Sequence, residues 1–179
     1  MHLGRGIVVG ASLLAAALAV FGVTTVRAGT DTCFGQAVTI QGTAGPDVIV
    51  GTPGPDVIDG GLGADNIYGA GGDDIVFASD FGNNTLEGGS GDDLVQGFQG
   101  NDTASGGSGN DTVGGFTGDD VLSGGAGNDT LTGFDGNDQL AGGGQDDNLD
   151  GGSGVDSLAG GGGFDTCVNG ESNSSCEAP

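Results

Sequence analysis

From residue 42 onward the chain repeats itself every nine residues, fourteen times over, and this period constrains the fold more than any single side chain. The units begin at residues 42, 51, 60, 69, 79, 88, 97, 106, 115, 124, 133, 142, 151 and 160, with Ala78 the one extra residue. Each reads G-x-x-G-x-D-x-[I/L/V]-x, as in Gly106–Gly114 (GGSGNDTVG). A nine-residue unit cannot bury an apolar face alone, so it is stable only when stacked on its neighbours.

The repeat positions divide the chemistry. Position 6 is Asp in thirteen units: Asp47, Asp56, Asp65, Asp74, Asp93, Asp102, Asp111, Asp120, Asp129, Asp138, Asp147, Asp156 and Asp165; Asn84 is the exception. Positions 1 and 4 are Gly except at Ser79 and Gln145. Position 8 is Ile, Leu or Val except at Ala104 and Cys167. Glycine allows positive φ and so lets the chain turn its carbonyl oxygens toward a common point. Carboxylate and carbonyl oxygens are the donors a hard cation such as calcium prefers. Positions 7–9 are expected to form a short strand with position 8 pointing inward.

Charge sharpens this reading. His2 and Arg5 precede an apolar run over 7–23, and Val26-Arg27-Ala28 supplies a small-x-small site. This pattern predicts a Sec-type secretory signal peptide over residues 1–28, cleaved after Ala28. A retained membrane anchor is the rival reading, because the run is nearly long enough to span a bilayer. Its Ala and Gly content and the cleavage site favour removal, with no membrane insertion of the mature chain. Both basic residues and the one histidine lie in this segment, so residues 29–179 hold all 25 acidic side chains and no Lys, Arg or His. No internal salt bridge is available, and a compact body of this charge repels itself unless an external cation joins it. Nucleic acid and anionic membrane are excluded as partners on the same ground. The residues after 28 also offer no His or Lys to activate a nucleophile, so the chain is not expected to be an enzyme.

These features together resemble the RTX, or hemolysin-type, calcium-binding nonapeptide repeat, G-G-x-G-x-D-x-U-x. The resemblance covers residues 42–168. It implies an all-β fold, a parallel β-roll (a right-handed β-solenoid) of about seven two-strand turns with calcium in the loops. It also implies that position-6 aspartates two repeats apart share an ion, so that Asp111 pairs with Asp129 and Asp102 with Asp120. The residues support two repeats per turn. Position 2 is Phe at Phe98, Phe116 and Phe134, and Gly at the intervening Gly107, Gly125 and Gly143. Fourteen repeats then allow up to about 12 calcium ions, and the sites that use Asn84, beside the irregular Ala78, are the weakest. The inward side chains form a thin core for so glycine-rich a chain, so folding is expected to depend on calcium.

The resulting organisation is a signal peptide over 1–28, an N-terminal capping segment over 29–41 with a capping strand in Val38–Gln41, the roll over 42–168, and a C-terminal cap or tail over 169–179. In an exported chain Cys167 and Cys176 are expected to pair. Cys33 lies some ~30 Å away along a stack of strand layers, so it is expected to be unpaired or intermolecular. Phe98, Phe116 and Phe134, extended by Phe81, form either a self-packing cover or a docking stripe for another copy or a cell-surface partner. The function expected is a secreted, free-standing calcium-binding protein with a structural, adhesive or extracellular-matrix role. A hemolysin-related toxin effector and a calcium-dependent ice-binding protein are the alternatives.

Overall fold

The computed structural model describes residues 32, 33, 35–79 and 81–176. The expected signal peptide lies outside the described residues, as does the Cys33 side chain. Every regular element among the described residues is a strand.

Strands eighteen or nineteen residues apart pair in parallel (fifteen at the last pair, Ser157 with Ser172). From Ile40 onward successive strands alternate between two eight-stranded sheets, while Thr32–Cys33 and Gln36–Ala37 form a separate antiparallel pair. One sheet stacks Val48–Val50, Asn66–Gly71, Thr85–Ser90, Thr103–Ser108, Val121–Ala126, Gln139–Gly144, Ser157–Gly162 and Ser172–Ser174. The other stacks Ile40–Gln41, Val57–Asp59, Ile75–Phe77, Leu94–Gln99, Thr112–Thr117, Thr130–Asp135, Asn148–Ser153 and Thr166–Val168. Two repeats therefore make one turn of a β-solenoid, as the alternation of Phe and Gly at position 2 predicts.

The strands are longer than the three residues expected. Most run through positions 7–9 and on into positions 1–3 of the next unit. Thr103, Ala104 and Ser105 pair with Val121, Leu122 and Ser123; the ladder then skips Gly106 and resumes with Gly107 and Ser108 on Gly125 and Ala126. The ladder resumes because position 2 takes a left-handed conformation, which turns the chain back into register.

Position 8 behaves as expected. All fourteen of its side chains, from Ile49 to Cys167, are buried in one continuous file between the sheets. The inserted Ala78 joins this file rather than breaking it. Its N–H donates to Gln96 O at 3.1 Å, while the flanking pairs Phe77 with Gln96 and Asn66 with Thr85 hold their places. The extra residue is absorbed as a local bulge, and the stack continues across it.

Both ends are covered. Ile40 and Gln41 pair with Ile58 and Asp59 at the leading end, and Val38 packs on Val57 and Phe77. At the trailing end Ser172–Ser174 continues one sheet, and the Cys167–Cys176 disulfide (Cα–Cα 5.8 Å) ties this last strand down. That pairing is the expected one. The phenylalanine row also forms: Phe98 stacks on Phe116 with centroids 5.0 Å apart, and Phe116 on Phe134 at 4.6 Å. Phe77 meets Phe98 edge-on at 6.5 Å. Phe81 stands apart and is 81% exposed, because it sits in the irregular unit that follows Ala78.

Candidate metal centres

Glycine serves this molecule at two kinds of position, and they differ from the expectation. From Gly63 to Gly163 position 4 is left-handed as predicted, with φ between 104° and 150° at its glycines other than Gly82, but Gly45 and Gly54 are not. Position 1 is not. Its glycines are required by space: a Cβ on Gly106 or Gly115 would overlap the carboxylate of Asp111 or Asp120 in the same unit. The second left-handed position is position 2, which even Ala70, Phe98, Phe116 and Phe134 adopt, with φ of 70–84°. The close approach at position 1 lays each position-6 carboxylate directly against the main chain of its own loop.

These side chains form two ladders, one along each edge of the roll. One runs Asp56, Asp74, Asp93, Asp111, Asp129, Asp147, Asp165; the other runs Asp47, Asp65, Asn84, Asp102, Asp120, Asp138, Asp156. In each, the main-chain N–H of one residue donates to Oδ1 of the next. Asp111 N donates to Asp129 Oδ1 and Asp102 N to Asp120 Oδ1, both at 2.8 Å, so the predicted partners do meet. The same residues also carry the strand ladder forward, as where Thr130 N donates to Asp111 O at 2.8 Å.

The second carboxylate oxygen is the informative atom. Oδ2 of Asp74, Asp93, Asp111, Asp120, Asp129, Asp138, Asp147, Asp156 and Asp165 is buried and accepts no hydrogen bond. A buried anionic oxygen without a partner is costly, and the remedies are protonation or a cation. Burial pushes the Asp93 carboxyl up to about 7, and those of Asp111, Asp138 and Asp147 up to about 6. The N–H donated from the preceding layer opposes this, and neighbouring carboxylates reinforce it. Asp74, Asp120 and Asp129 are also raised, again chiefly by burial. Among the described residues no three acidic, histidine or cysteine side chains converge on one point. A cation here would therefore draw on carboxylates from successive layers and on loop carbonyls, an all-oxygen set that fits calcium.

Two features escaped the sequence reading. Position 5 builds a second, exposed ladder: Asn110 N donates to Asp92 Oδ1 at 2.7 Å, and Asn137 N to Asp119 Oδ1 at 2.8 Å. The signal was present, since position 5 is Asp or Asn in nine of the fourteen units. Thr43 and Thr52 are the other omission. Thr43 N and Oγ1 donate to Asp47 Oδ2 at 2.6 and 2.9 Å, and Thr52 makes the same bonds to Asp56 Oδ2 at 2.6 and 2.8 Å.

Residues 41–76, 79–113, 114–149 and 132–167 match the model of the RTX calcium-binding nonapeptide repeat, which is more than half of the chain. The chain belongs to this family. Its repeats bind calcium, and they are typically found in secreted proteins and are typically non-enzymatic. No curated protein matches the chain.

Proposed function

We propose that this RTX protein is exported, binds calcium along both edges of its roll through the position-6 aspartates and loop carbonyls, and folds because it does so. The observation that carries the reading is the row of nine buried, unpartnered Oδ2 atoms, in a chain whose residues 29–179 contain no cationic side chain. Bringing these carboxylates together without a counter-charge opposes folding, whereas ions that bind only the assembled roll shift the equilibrium toward it. The role outside the cell is structural or adhesive. The stacked Phe98, Phe116 and Phe134 support it: each holds a bulky side chain at left-handed φ, a costly conformation, and Phe134 is 42% exposed.

Far-ultraviolet circular dichroism in chelator and then in calcium tests the folding claim. The strand signal is expected only after calcium is added, and a strand-rich spectrum in chelator refutes calcium-driven folding. N-terminal sequencing of the form recovered from culture medium tests export, with Gly29 the expected first residue.

A further inference from the structure

Among the described residues three loops share one feature. In each, a side chain of the loop itself bridges the position-4 carbonyl and a carboxylate. Thr43 Oγ1 donates to Asp47 Oδ2 at 2.9 Å and lies 3.4 Å from Gly45 O. Thr52 Oγ1 repeats the arrangement at 2.8 Å from Asp56 Oδ2 and 3.1 Å from Gly54 O. Asn84 reaches the same end by different chemistry. Its Nδ2 donates to Gly82 O at 2.9 Å and, in the next layer, to Asp102 Oδ1 at 3.1 Å. A donor placed between a carbonyl and a carboxylate satisfies the oxygens that a cation would otherwise collect.

The backbone agrees. Among the described residues position 2 is left-handed from Gly61 onward, but Thr43 and Thr52 are not, and their N–H groups turn onto the carboxylate at 2.6 Å. Asp56 gains a further donor from the leading cap, where Thr39 Oγ1 reaches its Oδ1 at 3.2 Å. Pro46 and Pro55, the only prolines at position 5, have no N–H to offer the outer Asx ladder. The two leading loops are thus closed by their own hydrogen bonds.

We propose that the loops beginning at residues 42, 51 and 79 take no divalent cation, because Thr43, Thr52 and Asn84 stand in for it. This rests on the calcium reading above and narrows it. Twelve intervals separate consecutive loops along the two edges, and three of them open on a loop satisfied in this way, which leaves nine. The leading turn, with its two loops, forms a hydrogen-bonded platform, and the cation-dependent stack is built beyond it, with one neutral rung at Asn84.

Native mass spectrometry of the full chain through a calcium titration counts the ions. Nine or fewer is the expected result, and ten to twelve overturns the assignment. A chain that binds none overturns the calcium reading itself, and this inference with it. Thr43→Gly with Thr52→Gly, which restores the residue most other units carry at position 2, is expected to raise the count by two. Asn84→Asp is expected to raise it by one. Folded variants whose counts stay unchanged refute the role given to these side chains. Where a variant does not fold, anomalous diffraction from wild-type crystals grown with calcium decides the matter. A calcium peak within 43–47 or 52–56, or between Asn84 and Asp102, overturns the proposal, and peaks confined to the other loops support it.

Discussion

Replacing Asp138 by Asn isolates the charge on one rung of the ladder. The side chain is buried, its Oδ1 accepts the Asp120 N–H at 2.8 Å, and its Oδ2 has no donor. Asn keeps the Oδ1 acceptor and nearly the same volume, and Asn84 already demonstrates that an amide fits this position without breaking the stack. What changes is the charge. A carboxyl moved from 3.8 to about 6 carries, at neutral pH, a penalty of up to about 3 kcal/mol for being ionised in the metal-free roll. Screening by water at the loops brings this to about 1–3 kcal/mol. Asp138→Asn should therefore stabilise the roll in chelator by about 1–3 kcal/mol. In calcium the same change removes an anionic ligand and should destabilise the roll. Two measurements read the two signs: refolding by trimethylamine N-oxide in chelator, where the midpoint should fall, and a calcium titration followed by circular dichroism, where the midpoint should rise. Midpoints that move in the same sense in both media, or that do not move, refute the view that buried charge is what calcium relieves.

Other outcomes follow from the same geometry. In chelator the chain should gain strand signal as pH falls. The carboxyls of Asp93 (about 7) and of Asp111 and Asp147 (about 6) are raised above 3.8, so their contribution to folding is fully present below about pH 4 and is lost as pH rises through 6–7. Circular dichroism between pH 3 and 8 in chelator checks this, and a signal that grows with pH contradicts it. Reducing the Cys167–Cys176 disulfide, which closes a nine-residue separation, should cost about 2–3 kcal/mol and raise the calcium midpoint, read by titration with and without reductant. Substituting Phe98, Phe116 and Phe134 together by Gly removes stacking of roughly 0.5–1.5 kcal/mol per pair but relieves left-handed strain of about 1–2 kcal/mol per residue. Calcium stoichiometry should therefore hold while self-association or adhesion falls, and unchanged association in sedimentation counts against a docking role.

Much of the roll was legible because its period is short and its chemistry repeats. One aliphatic side chain in nine predicted the single file from Ile49 to Cys167, and the recurrence of Phe at eighteen residues predicted two units per turn. The thirteen aspartates were recognisable as a set for the same reason. Two misreadings concern glycine, whose presence does not say why it is needed. Position 1 is glycine because the carboxylate of Asp111 or Asp120 leaves no room for a Cβ, whereas the left-handed turn sits at position 2, where Phe116 tolerates φ of 78° by stacking on its neighbours. Composition alone does not separate steric need from conformational need.

The sequence by itself determined the period, the inward face, the two edges of carboxylates and the absence of any basic partner for them over residues 29–179. These properties depend on residue identity at fixed spacing, and stacking merely multiplies them. Only the tertiary structure decided which carboxylate oxygens remain without a donor. That depends on where a hydroxyl falls relative to a carboxylate four residues on, or an amide nitrogen relative to one eighteen residues on. Thr52 and Gly125 occupy the same position of the repeat, yet one turns its N–H and hydroxyl onto a buried carboxylate while the other turns the chain, and no reading of spacing distinguishes them.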